Sequence, residues 1–238
     1  MSFDPQQDQD SVNPLLSLPR RQMIIPRSGV SRPAWLNRSN KQLAVLVRDC
    51  SGSMSGDKAL DATRASQGLV SELAQPANRD GFEVAVINFE SSAKLEHDVT
   101  LASELAGRIS SVHGGAGTDI ASGLEIAVEI LSRPQFQSES YLRPVVVAFS
   151  DGCTSNRRGA ETIANAMKFN ADLVTVAFGT DADEVFLQNI ASSPAHFYRC
   201  SDGKSLRAFF AAVGATLCMS LQRGQNATHA LSQVRFKQ

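Results

Sequence analysis

Leu43-Ala44-Val45-Leu46-Val47-Arg48-Asp49-Cys50-Ser51-Gly52-Ser53-Met54-Ser55-Gly56 decides the fold of this chain. An unbroken apolar run of β-forming residues stops at a carboxylate, two spaced hydroxyls and two glycines. That pattern reads as a buried strand of a parallel sheet ending in a turn. Behind it, to about Gln75, Leu60, Leu69, Val70 and Leu73 with Ala59, Ala62 and Ala65 give a helix with a thin apolar stripe. The polar residues therefore sit on a strand-to-helix turn, at the carboxyl edge where open α/β sheets bind ligands. Asp49, Ser51 and Ser53 stand at i, i+2 and i+4, and in extended chain that spacing turns three oxygen-bearing side chains to one side. Such an all-oxygen nest suits a hard cation, Mg²⁺ or Mn²⁺. The same residue types also cap helix starts, and the stretch alone leaves both readings open.

Outward from this stretch, strands and helices alternate. Strands are expected at 43–47, 82–89, 144–150, 172–179 and 196–200, with a short edge strand at 95–101 paired as a hairpin. Helices are expected at 57–75, 103–109, 120–131, 159–169, 182–191 and 203–221. The alternation predicts an α/β fold, a doubly wound, mostly parallel sheet with helices on both faces. Three groups then face one sheet edge. They are Asp49, Ser51 and Ser53; Thr118 behind the loop His113-Gly114-Gly115-Ala116-Gly117; and Asp151 in Ser150-Asp151-Gly152.

D-x-S-x-S after the first strand, a lone Thr in a glycine-rich loop before a helix, and S-D-G after a later strand resemble the von Willebrand factor A (VWA) domain. In that order, over about residues 41–222, they resemble its metal-ion-dependent adhesion site. The resemblance implies a Rossmann-like fold in which Ser51, Ser53 and Thr118 are hydroxyl ligands of an ion. Asp49 and Asp151 would be carboxylates bound directly or through water. Three neutral hydroxyls leave a divalent ion less neutralised than an all-carboxylate cage would, and Mg²⁺ keeps waters where protein ligands are missing. One position is then open to an Asp or Glu from a partner protein, favoured by the helix N-termini near Ser55 and Asp119. Mg²⁺ is the expected ion, with Mn²⁺ or Ca²⁺ as admissible substitutes. The bland alternative is an ion that only staples three loops. Within the family, residues 49–56 and Ile190-Ala191-Ser192-Ser193-Pro194-Ala195-His196-Phe197-Tyr198-Arg199 resemble the bacterial TerY-type group of tellurite-resistance and stress clusters. That group implies an adaptor working with kinase, phosphatase or other metal-stress proteins.

At 238 residues the chain suffices for one domain of roughly 190 residues with tails. Residues 1–40 read as an arm whose first ten residues are polar. Pro5, Pro14, Pro19, Pro26 and Pro33 exclude a long helix or a central strand there. Leu15, Leu16, Leu18, Met23, Ile24, Ile25, Trp35 and Leu36 are too apolar for a solvated linker, so the arm is expected to lie across its own domain or on a partner. Residues 223–238 read as a basic tail, and Val234 and Phe236 suit it to adding an edge strand or entering a partner groove. A net charge of −1 gives no push toward nucleic acid or anionic membrane. No apolar stretch approaches the roughly 20 residues of a bilayer span. The start lacks the pattern of a signal peptide, so a cytoplasmic location is expected. Cys50, Cys153, Cys200 and Cys218 show no C-x-x-C spacing, against a zinc site or a disulfide scaffold.

Other chemistry is weighed against this reading. Gly52 to Lys58 has one residue too few between its glycines for a phosphate loop, with Asp57 intruding. Ser51 or Ser53 as a nucleophile needs a nearby histidine base, for which His113 is the candidate. A metal-dependent, phosphatase-like hydrolase on the same edge is the alternative function, although Ser51 stands where aspartate-based phosphoryl chemistry wants a second carboxylate. Cys50 and Cys153 flank the expected carboxylates and read as small buried side chains, or as thiols whose oxidation would distort the site. Arg157 and Arg158 read as a solvated loop pair or a rim steering an acidic partner. Asp4, Asp8 and Asp10 offer carboxylates able to plug the open metal position.

Overall fold

In the computed structural model, which describes residues 40–151 and 154–234, the diagnostic run becomes strand β1 (Lys41–Asp49), buried from Gln42 to its end. The expected arm up to residue 39, its carboxylates included, and Cys153 lie outside the described residues. Five more strands follow: β2 (Phe82–Phe89), β3 (Ala93–Leu101), β4 (Tyr141–Ser150), β5 (Asp172–Phe178) and β6 (Phe197–Cys200). Their order in the sheet is β3-β2-β1-β4-β5-β6, parallel throughout except for β3, which runs antiparallel to β2. The helices are α1 (Asp57–Leu73), α2 (Ala102–Leu105), α3 (Ile120–Leu131), α4 (Arg157–Met167), α5 (Glu184–Ile190), α6 (Gly203–Arg223) and α7 (Thr228–Leu231).

Period-two alternation along β1 divides the core between the faces of the sheet. Ala44 and Leu46 pack with α1 and α6, whereas Leu43, Val45 and Val47 pack with α3, α4 and α5. This is the expected doubly wound arrangement, and both faces being covered explains why the central strands read as continuous apolar runs. Helix α6 is, by length and composition alone, apolar enough to cross a membrane, which corrects the expectation that no stretch approaches that test. In the fold 61% of that window is buried, where Phe209, Phe210, Val213 and Leu217 join the core over α1.

Several boundaries depart from the sequence reading. The antiparallel edge strand is not short: β3 has nine residues, because pairing with Asn88 and Phe89 recruits Lys94 and Ala93, which are poor strand formers on their own. The helix expected at 103–109 stops after one turn, at Leu105. Pro144 lies inside β4, where the register with β1 shifts between Gln42 and Ala44, so its missing N–H falls at a bulge. The stretch expected as a basic tail is built into the domain as far as Val234. Ala227 and Leu231 are fully buried, and the Tyr198 hydroxyl donates to the Leu231 carbonyl. Thr228 Oγ1 donates to Asp172 Oδ2 at 2.6 Å, and Arg143 N donates to Asn226 Oδ1 at 2.8 Å.

Candidate functional site

β1 and β4 are parallel neighbours, so Asp49 and Ser150 end side by side at the carboxyl edge of the sheet. Asp49 is fully buried and aimed from two sides: its Oδ1 accepts Ser51 N at 2.8 Å, and its Oδ2 accepts Ser150 Oγ at 2.5 Å. The chain then turns through a short 3₁₀ segment, Gly52–Met54, rather than continuing extended as the i, i+2, i+4 reading requires. Met54 is wholly buried beneath that turn and pins it, and Ser51 O accepts Met54 N at 3.0 Å. The two hydroxyls still meet, Ser51 Oγ and Ser53 Oγ lying 3.0 Å apart. Ser53 Oγ donates in turn to Asp151 Oδ1 at 2.7 Å, and Asp151 is 1% exposed.

The glycine loop reaches the same place by close backbone approach. Gly115 N donates to Cys50 O at 2.6 Å, and a Cβ on Gly52 would lie 3.0 Å from Gly115 O. Only residues without side chains let the two loops lie this close. Glu90, the residue after β2, braces the loop: its Oε2 accepts Ala116 N at 2.9 Å and its carbonyl accepts Asp119 N at 2.6 Å. Thr118 sits half-buried at the loop's end, its carbonyl accepting Ser155 N at 3.0 Å. Among the described residues its hydroxyl makes no hydrogen bond to the other four, so four of the five expected ligands are joined and the fifth is held alongside.

Four residues of this centre were given no role in it from the sequence. Lys58 Nζ stands 2.5 Å from Asp151 Oδ2 and 3.1 Å from Asp181 Oδ1. Ser150 and Glu90 orient the carboxylate and the glycine loop, as described. Arg48, fully buried, donates to Asn88 Oδ1 at 2.8 Å and to the Ser110 carbonyl at 3.0 Å, tying β1 to β2 and to the segment leading into the glycine loop. An arginine inside an otherwise apolar strand was the available signal.

Charge makes the donor set a fit for a divalent cation. Of the two buried carboxylates only Asp151 meets an ammonium, and Asp49 has neutral donors alone, leaving an excess of negative charge away from water. Burial pushes the Asp49 carboxyl above its ordinary value, and the charge of Asp151 adds to that against the hydrogen bonds from Ser150 and Ser51. Beside Thr118, Asp119 Oδ1 is a buried carboxylate oxygen without a hydrogen-bond partner among the described residues. The residues are hard oxygen donors of the class that Mg²⁺ and Ca²⁺ take.

The other candidates fare differently. Among the described residues no histidine hydrogen-bonds Ser51 or Ser53; His113 instead lines two clefts of about 460 and 400 Å³ flanking the glycine loop. Burial pushes the Cys50 thiol up to about 11, so it is protonated at neutral pH and lacks the low pKa of a redox-sensing cysteine. Arg157 is no loop residue: it opens α4, pairs with Asp183 and lies over the Phe186 ring at 5.5 Å.

The family model of the von Willebrand factor type A domain matches residues 44–212. No curated protein sequence matches the chain. Among solved structures, the vWF domain of the type V pili tip protein Mfa5 from Porphyromonas gingivalis superposes with a TM-score of 0.66 at 14% identity, covering 78% of this chain and 98% of that one. Proximal thread matrix protein 1 from the mussel byssus, with a zinc-occupied MIDAS motif, gives 0.62 at 22% identity, covering 75% of this chain and 46% of its own. The pilus adhesin SpaC from Lactobacillus rhamnosus GG gives 0.65 at 13% identity, covering 76% and 30%. At these identities the likeness is one of fold, and this chain spans under half the length of the mussel protein.

Proposed function

This chain belongs to the von Willebrand factor type A family, and we propose that it is a protein-interaction module gripping a partner's Asp or Glu through a divalent cation. Asp49, Ser51, Ser53, Thr118 and Asp151 would hold the ion. The observation that carries the reading is the convergence of two buried carboxylates and two hydroxyls from two distant parts of the chain, 49–53 and 151, with one ammonium beside Asp151.

When bound, the cation supplies positive charge and an open coordination position for an incoming carboxylate. The chain's own residues do the rest. Ser150 and Ser51 N fix the rotamer of Asp49, so little ordering remains to be done on binding. Ser51, Ser53 and Thr118 are neutral donors and leave the ion electrophilic. Mg²⁺ is the proposed ion, with Mn²⁺ or Ca²⁺ as substitutes; the zinc in the mussel neighbour belongs to that protein. The narrower assignment, a cytoplasmic TerY-type adaptor of a bacterial stress or tellurite-resistance system with a kinase or phosphatase as partner, rests on the sequence resemblance of residues 49–56 and 190–199.

Calorimetric titration with Mg²⁺ and Mn²⁺, alongside capture of partner proteins with and without chelator, tests the proposal. The expected result is one ion per chain, chelator-sensitive capture, loss of both in Asp151→Ala, and no phosphatase turnover. Phosphate release that depends on the ion would favour the hydrolase. Absence of ion binding would overturn the reading.

A further inference from the structure

Lys58 stands in the first turn of α1 and reaches back over the carboxylate cluster. The two acids it touches are unlike: the Asp151 side chain is 0% exposed, whereas that of Asp181 is 61% exposed. Both oxygens of Asp151 are engaged, Oδ1 by Ser53 and Oδ2 by the Lys58 ammonium at 2.5 Å. Behind them Gly179 follows β5 with a φ of 96°. A Cβ there would stand 2.9 Å from Asp181 Oδ1 and 3.2 Å from Lys58 Nζ, so the backbone is shaped to admit this pair.

We propose that Lys58 sets the affinity of the metal position, its ammonium neutralising Asp151 until a divalent ion is bound and passing to Asp181 when one is. This rests on the metal-binding reading above and adds to it the residue that competes with the ion. Two cations drawn to one buried carboxylate repel each other strongly where water is scarce. Lysine, a point charge on a flexible stem with three rotatable donors, can change acceptors without loss of its own hydrogen bonds. Asp181 is already within reach and largely solvated, so it receives the ammonium at small desolvation cost. Asp181 thus acts on metal affinity through Lys58.

A double-mutant cycle read by calorimetric titration with Mn²⁺ tests this. Lys58→Met should tighten Mn²⁺ by about tenfold, the scale of one removed neighbouring charge. Asp181→Asn should weaken it by about threefold or more, because the ammonium then has Asp151 alone. In the Lys58→Met background Asp181→Asn should change the Kd by less than about twofold, since no ammonium is left to relocate. Weaker binding by Lys58→Met, or additive effects of the two changes, overturns the proposal. Should Lys58→Met not fold, the Lys58 side-chain carbon resonance of the otherwise unaltered protein decides. It should shift in step with Mg²⁺ binding and shift less in Asp181→Asn; a resonance that does not move is a negative answer. Failure of the unaltered protein to bind Mn²⁺ overturns the metal reading and this proposal together.

Discussion

Asp49 is aimed by Ser51 N and Ser150 Oγ, and Asp151 by Ser53 and Lys58, so the protein itself orients both carboxylates. Thr118 differs, since its hydroxyl serves none of the other four. Thr118→Ala should therefore weaken Mn²⁺ binding about 10- to 100-fold while leaving the urea midpoint nearly unchanged. Thr118→Ser should restore the affinity, and equal Kd values for the Ala variant and the parent would remove Thr118 from the site. Donors of this kind are legible in a sequence because a carboxylate or hydroxyl interrupts an apolar run at a strand end. Lys58 and Ser150 are not, because their partners lie 93 and 101 residues away. Arg48 is the sharpest case: it reads as one polar residue in a strand yet holds Asn88 and Ser110 together across the sheet, and burial pulls its pKa down. Replacing a buried charge by an apolar isostere is often neutral when its partners go too. Here the Asn88 oxygen and the Ser110 carbonyl would remain without their donor, so Arg48→Met should cost about 3 kcal/mol of stability. Chemical denaturation measures it, and an unshifted midpoint would show that water replaces the guanidinium.

At the scale of elements, β2, β5 and α3 could be read to within a residue because an apolar run with few polar interruptions marks their extent. β1 and β4 run two or three residues past their apolar runs, into Lys41, Gln42, Arg48 and Asp49 and into Tyr141–Arg143, where pairing rather than apolar character sets the limit. Nor could α2 and β3 be read so closely, since their lengths depend on pairing and on where the chain must turn. The start of α6 was legible for a local reason. Asp202 and Ser205 form a reciprocal capping box: Asp202 Oδ1 accepts Ser205 N at 2.7 Å, and Ser205 Oγ accepts Asp202 N at 3.1 Å. The backbone N–H of Ser205, followed by its hydroxyl, holds the Asp202 carboxyl below its usual range. A depressed carboxylate contributes stability that is complete above its unfolded pKa, about 4, and is lost as pH falls through the lower folded value. The amides of the first turn of α6 should therefore exchange faster with solvent below about pH 4 than at neutrality, after correction for intrinsic rates. In Asp202→Asn, which keeps the acceptor without the charge, the step should vanish; a step that persists would place the titrating group elsewhere.

Across the whole molecule the two ends of the sheet do different work. The carboxyl ends of β1 and β4 carry the cluster of carboxylates and hydroxyls proposed to hold the ion, while the amino ends of β4, β5 and β6 are closed by residues 224–234. The latter were read as part of a tail because a short segment of mostly small and polar residues carries no periodic signal, and its fate is set by Arg143, Asp172 and Tyr198, all distant in sequence. Its contacts are those of a core: Leu231 and Ala227 fully buried, Thr228 on Asp172, and Asn226 on the start of β4. Arg143 adds to the same closure, donating to Asp172 at 2.8 Å and to the Lys168 and Ala171 carbonyls at 2.6 and 2.9 Å at the end of α4. A ten-residue β4 separates the two ends by roughly 30 Å, beyond the reach of direct electrostatics in physiological salt. Truncation after Gly224 should therefore lower stability by about 3 kcal/mol, the scale of emptying one buried leucine site, and leave the Mn²⁺ Kd within about twofold. Leu231→Ala should reproduce most of the loss in stability with the chain intact. A truncated protein that keeps its midpoint would show that the segment only rests on the domain, and one that keeps its midpoint but loses the ion would show that the two ends are coupled through the strands between them.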